Sequence, residues 1–219
     1  NKNNTYVLSA ALLGEKGTGL LICERVADSS GKFILAPAAG SDFAGTIKVG
    51  GKAVSEPYAV QCELQGSPVM DCTVWATSYA TLIPQYAGTQ WTIGTLRLDA
   101  GSTWAVKLTN DPKANTITLT DGLTTADSVN LTFTQGARQI DTEHGYVWEI
   151  LKLPKEKKEM IHPEHFVLAT QETVGLFPDV LPSVELRATE KDDFAVLELV
   201  QRQVVENKVE DERGYTYSD

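Results

Sequence analysis

The chain has 219 residues and a formal charge of −10 at pH 7, with an isoelectric point near 4.8. That balance argues against a nucleic-acid partner, whose phosphates must be neutralised by Lys and Arg, and against docking on anionic lipid. No apolar run approaches the roughly 20 residues of a membrane-spanning helix, and the length suffices for one large β domain or two small ones.

Five short apolar runs, separated by Gly and Ser clusters, open the chain: Tyr6 to Leu13, Leu20 to Val26, Phe33 to Leu35, Phe43 to Val49 and Tyr58 to Leu64. Each reads as a strand. Between the first two, Gly14-Glu15-Lys16-Gly17-Thr18-Gly19 lacks the Gly-Lys-Ser/Thr ending of a phosphate loop and leads into a strand, so it reads as a turn. Gly50-Gly51 supplies positive φ for a short hairpin from Ile47 to Val54.

The next pair of runs places Tyr58, Val60, Cys62 and Leu64 on one strand face and Met70, Cys72, Val74 and Ala76 on another. Read as a hairpin, this sets Cys62 opposite Cys72 at a separation compatible with a disulfide. Cys23 is then the free thiol and a core residue. Such a bridge belongs to an oxidising compartment, so an extracytoplasmic location, secreted, periplasmic or surface-anchored, is expected.

From Trp91 to Phe133 the chain alternates apolar and polar residues with turn signals at Asp99-Ala100-Gly101, Asn110-Asp111-Pro112 and Asp121-Gly122. An antiparallel meander is the simplest reading. Apolar parity switches between Ile93 and Leu96, which predicts a β-bulge at Gly94. Beyond Gln135 the composition becomes polar, then Tyr146, Trp148 and Ile150 start another strand. Pro154 followed by good helix formers predicts one short helix near 155–161, stopped before Pro163. Phe166 to Ala169 is a strand, and Val184 to Leu199 forms a hairpin pairing Ala188 with Ala195, Leu186 with Leu197 and Val184 with Leu199.

The expected fold class is therefore all-β, an antiparallel β-sandwich or jelly-roll-like arrangement. Residues 1–134 form a sandwich domain, 135–205 a second small β domain or the completion of the first, and 206–219 a charged tail. No internal repeat of fixed period is visible.

Chemistry-bearing residues are few. His144, His162 and His165 fall in one segment with Glu143 and Glu164, a donor set suited to Zn²⁺ or another borderline divalent ion. The His162-Pro163-Glu164-His165 order departs from the helical metalloprotease motif. On the strand from Met70 to Ala76, Trp75 shares the face opposite the cysteines with Asp71, Thr73, Thr77 and Tyr79. A charged Asp71 there is costly to bury, so Trp75, Tyr79, Thr73 and Asp71 form the expected ligand-binding face.

With no catalytic constellation and no cofactor implied, the leading expectation is a non-catalytic extracytoplasmic binding or structural module recognising a carbohydrate or protein partner. The alternatives are a metal-assisted hydrolase or lyase built on the His144, His162 and His165 segment, and a virion or surface-assembly structural protein. No feature sets an oligomeric state.

Overall fold

The computed structural model describes residues 5–24, 32–51, 60–84, 89–108, 111, 113, 115–135, 146–170, 184–201, 208–210 and 216–218. The strands are β1 (Thr5–Leu8), β2 (Leu13–Gly14), β3 (Leu20–Cys23), β4 (Lys32–Leu35), β5 (Asp42–Phe43), β6 (Thr46–Val49), β7 (Val60–Leu64), β8 (Val69–Ala76), β9 (Ala80–Pro84) and β10 (Thr92–Leu98). They continue with β11 (Thr103–Leu108), β12 (Ile117–Thr125), β13 (Val129–Gln135), β14 (Tyr146–Pro154), β15 (Phe166–Thr170), β16 (Val184–Lys191), β17 (Phe194–Gln201), β18 (Lys208–Glu210) and β19 (Thr216–Ser218). The short helix expected near 155–161 is present as a 3₁₀ helix, Lys155–Met160, and a second 3₁₀ turn follows at Pro163–His165. Among the described residues no helix is long and apolar enough to cross a membrane.

The chain is all-β, but its strands are not paired as an antiparallel sandwich or jelly roll. Sheet I has seven strands in the order β1-β4-β7-β9-β11-β13-β15, and every neighbouring pair in it is parallel. Sheet II has eight, ordered β16-β17-β14-β12-β10-β8-β6-β3. It is parallel from β3 to β14 and becomes antiparallel only where the β16–β17 hairpin closes it. Apart from β2 and β5, which pair with each other, successive strands from β1 to β15 alternate between the two sheets, so each circuit adds one parallel strand to each: a β-solenoid. Two parallel neighbours need a long crossover, and here that crossover is the strand laid on the opposite sheet. The expected meander fails for this reason. The turn after β10 carries the chain across to sheet I rather than back alongside β10.

Side-chain alternation is set by burial, and that part of the sequence reading holds. Phe33, Cys62, Leu82, Trp104, Leu131 and Leu168 form one inward row of sheet I. Ile47, Val74, Leu96 and Leu123 form a facing row of sheet II. From Ile47 to Leu123, and from Cys62 to Leu131, these rows are buried. The register shift falls between Ile93 and Thr95, as expected at Gly94, with one extra residue on each neighbouring strand. β14 and β15 extend the same two sheets as the strands before residue 134.

Two further expectations are corrected. Cys62 lies in sheet I and Cys72 in sheet II, on strands that do not pair with each other, and Cys23, Cys62 and Cys72 are all free and buried. The thiol beside Cys62 is that of Cys23, to which it is hydrogen-bonded. The extracytoplasmic expectation thereby loses the disulfide as a support. The closing hairpin is present, but its turn is only Asp192-Asp193, with Lys191 paired to Phe194. This moves the register by two residues, so Ala188 faces Leu197 and Leu186 faces Leu199. A shift of two preserves which face is apolar, which is why the pattern alone did not distinguish the registers.

Candidate functional site

The outward face of sheet II carries polar residues in ladders that run across the coils. Thr46, Thr73 and Thr95 are register partners, and so are Lys48, Trp75 and Arg97. Where β10 meets its neighbours at Gly94, the extra residues on β8 and β12 include Asp71 and Asp121. A groove of about 190 Å³ opens there, lined among others by Lys16, Thr46, Asp71, Thr73, Thr95 and Asp121. Gly94 keeps its floor low: a Cβ on it would lie 2.8 Å from Asp71 Oδ1 and 3.2 Å from the Cys72 carbonyl oxygen.

Two lysines flank the groove. Lys16, on the turn between β2 and β3, donates to Asp71 Oδ2 at 3.1 Å. Lys157, on the first 3₁₀ turn, donates to the Asp121 backbone carbonyl and lies 3.3 Å from its Oδ1. Each carboxylate is thus partnered but still exposed, 54% for Asp71 and 69% for Asp121. A larger groove of about 390 Å³ lies between Pro37–Ser41 and Ser67–Val69. Its lining holds no charged side chain, unlike that of the smaller groove and of a third, of about 230 Å³, lined by Gln90, Thr92, Lys113, Thr116, Thr118, Glu149 and Lys152.

The structure brings Asp71 and Thr73 together in this groove and sets Trp75 beside them on the same face. Trp75 does not present a bare ring. Lys48 Nζ lies 4.7 Å and Arg97 Cζ 4.2 Å from its ring centroid, and its Nε1 donates to Asp99 Oδ2 at 2.8 Å. Tyr79 leaves the expected face altogether: β8 ends at Ala76, and Tyr79 sits in the following turn with φ 63°. Thr77 also lies beyond the strand, where its hydroxyl donates to the Val49 carbonyl. Lys16, Thr46, Thr95 and Asp121 were not singled out from the sequence. The signal for them is a match between residues one coil apart, which the varying coil length hides.

A second cluster lies at the corner between the second 3₁₀ turn and the β12–β13 turn. His162, Glu164 and His165 each offer a ligand atom, all within 4.8 Å of one another. The two imidazoles are stacked with centroids 4.5 Å apart. Glu164 accepts from His162 Nδ1 at 3.0 Å, and its own backbone N–H and His162 hold its carboxyl below the ordinary value. His165 Nδ1 lies 3.1 Å from the Thr125 carbonyl oxygen and 2.9 Å from its hydroxyl, while Nε2 lies 3.2 Å from Asp127 Oδ1. His144 and Glu143 lie outside the described residues.

The thiols are set by burial. Burial pushes the Cys72 thiol up to about 12. The hydrogen bond between Cys62 and Cys23 raises the first well above its ordinary value and lowers the second. Comparison with protein-family models, with curated proteins and with solved structures finds no match to this chain.

Proposed function

We propose that the chain is a non-catalytic binding module whose outer sheet II groove takes one unit of a polyhydroxylated ligand, a carbohydrate. The observation that carries this reading is the groove's chemistry: threonine hydroxyls, two exposed carboxylates and Lys16 line a volume of about 190 Å³, with Lys157 held on Asp121 beside it. Pockets for drug-sized apolar ligands run to roughly 300–1,000 Å³ with mainly hydrophobic walls, so this groove suits something smaller and polar. Carboxylates accept hydrogen bonds from paired hydroxyls, and the threonines both give and take them. Asp71 and Asp121 each carry a lysine partner, which favours their acting as fixed acceptors rather than as an acid and base pair. A glycan ligand accords with action outside the cytoplasm.

Saturation-transfer NMR against a panel of soluble mono- and oligosaccharides tests the reading. The expected result is transfer to one class of sugar, weakened about tenfold or more by Asp71→Asn and by Thr73→Val, since a hydrogen bond to a charged group contributes about 1.5–3 kcal/mol. No transfer to any sugar, or transfer unchanged in both variants, would remove the groove as the site. Release of reducing ends during the experiment would identify a hydrolase instead.

A further inference from the structure

The corner cluster is independent of the groove, and its donors are arranged in a way that the sequence segment alone does not show. His165 is held by the preceding coil. Its Nδ1 lies 3.1 Å from the Thr125 carbonyl oxygen and 2.9 Å from the Thr125 hydroxyl, and with the proton on Nδ1, donated to that carbonyl, Nε2 keeps its lone pair. This is the second-shell arrangement found around metal-ligating imidazoles. Asp127 Oδ1, from the β12–β13 turn, lies 3.2 Å from that same Nε2. On the other side, His162 Nδ1 and Glu164 Oε1 are 3.0 Å apart, and an ion bound between them would release the Nδ1 proton to solvent. Donors sharing a tetrahedral ion at 2.0–2.1 Å stand roughly 3.3 Å from one another, so both pairs already have the spacing of neighbouring ligands.

We propose that His165, Asp127, His162 and Glu164 form a binding site for a borderline divalent transition-metal ion of the Zn²⁺ class. Two imidazoles with two carboxylates select such an ion over Ca²⁺ or Mg²⁺, which take oxygen ligands almost entirely. The ion would clip two successive coils, because β13 and β15, which leave these two turns, are register neighbours with Val129 beside Phe166. His165 is the anchor. Glu164 and Asp127 are 67% and 91% exposed; Glu164 lies within 4.8 Å of both imidazoles, and Asp127 joins the cluster through His165 Nε2.

The full chain, freed of metal with chelator, is titrated with Co²⁺ and with Zn²⁺. One ion per chain is expected, with Co²⁺ giving the visible absorption of a tetrahedral nitrogen and oxygen site and Zn²⁺ raising the thermal midpoint. Affinity should fall about tenfold or more in His165→Ala, His162→Ala and Asp127→Asn, at least the loss seen when a supporting residue of a metal site is removed. His162 and Asp127 are exposed enough that these two variants retain the fold should His165→Ala not. Wild-type affinity in either His162→Ala or Asp127→Asn overturns the four-ligand site, as does the absence of saturable binding. A thiolate-to-cobalt charge-transfer band would place the ion at cysteine and overturn it equally.

Discussion

Glu198 shows at the scale of one residue how this fold tolerates a buried charge. It is fully buried on β17, yet Arg187 Nε donates to its Oε2 at 2.8 Å and Lys191 pairs with its Oε1. Lys191 also reaches Glu149 at 3.0 Å, the residue directly across the strand pair from Glu198, so one ammonium offsets two carboxylates that would otherwise repel. Burial alone would raise the Glu198 carboxyl, but the hydrogen bonds from Lys191 and Arg187 outweigh it and hold the group below its ordinary value of 4.5. A carboxyl depressed in the folded state contributes stability that is complete above the unfolded value and is lost as pH falls through the folded one. Glu198→Gln should therefore cost about 1–2 kcal/mol at neutral pH, because both cations remain half exposed and can turn to water. Urea unfolding from neutral pH downward checks this: the gap between variant and wild type should hold above 4.5 and narrow below it. A gap that widens in acid would sink the assignment. The burial of Glu198 goes with β17 pairing with β14 as well as β16, a long-range fact that alternation along one strand does not encode.

At the scale of elements, the corners between sheets matter as much as the strands. Tyr79, Gly101 and Ser128 all have positive φ, at 63°, 75° and 67°, and they stack coil on coil: Tyr79 N–H donates to the Gly101 carbonyl, and Gly101 N–H to that of Ser128. The same left-handed turn is thus repeated at one edge of three coils, with glycine used once. Gly101 has open space where a Cβ would stand, so Gly101→Ala tests conformation without steric contact and should cost about 1–2 kcal/mol. Ser128→Gly should instead gain up to about 1 kcal/mol, the relief of a left-handed non-glycine residue less glycine's own entropy cost. Chemical denaturation measures both, and equal effects of the same sign would refute the corner account. Asp99-Ala100-Gly101 was legible as a turn from its residues. That it joins two sheets rather than two neighbouring strands was not, since both kinds of reversal call for the same residues. β9 was missed because Ala80-Thr81-Leu82-Ile83-Pro84 is short and ends in proline, a residue that demotes a run in an antiparallel reading. His162, Glu164 and His165 were legible as a cluster from proximity in sequence. Asp127 was not, because it arrives from the coil before.

For the whole molecule the governing fact is that strands pair between adjacent coils, while the coils differ in length. Partners along sheet I are separated by as few as 20 residues, from Gln61 to Thr81, and as many as 37, from Asn130 to Val167. A repeat that varies this much leaves no fixed period to find, although every strand keeps its alternation. Such stacks behave as a nearly linear sum of coil stabilities and coil-to-coil interfaces. The two ends then differ. One is closed by β17 and β16, with Ala195, Leu197 and Leu199 fully buried. At the other, Tyr6 shares the inward row of Phe33 and stacks on it at 5.4 Å, yet is 54% exposed, and Leu13, Leu20 and Ile22 are exposed with it. Among the described residues no strand pairs with the outer edge of β1 or β3. Amide hydrogen exchange should therefore be graded: β1 and β3 exchange first, through local opening of the first coil, and β10 and β12 last, near the global unfolding limit. Leu20→Lys, at the open end, should leave the middle coils' protection unchanged, whereas Leu131→Ala in the inner row should cost about 2–5 kcal/mol and lower protection along the stack. Uniform protection from β1 to β14 would instead mean that the coils unfold as one cooperative unit, with the first coil stabilised from outside its own contacts.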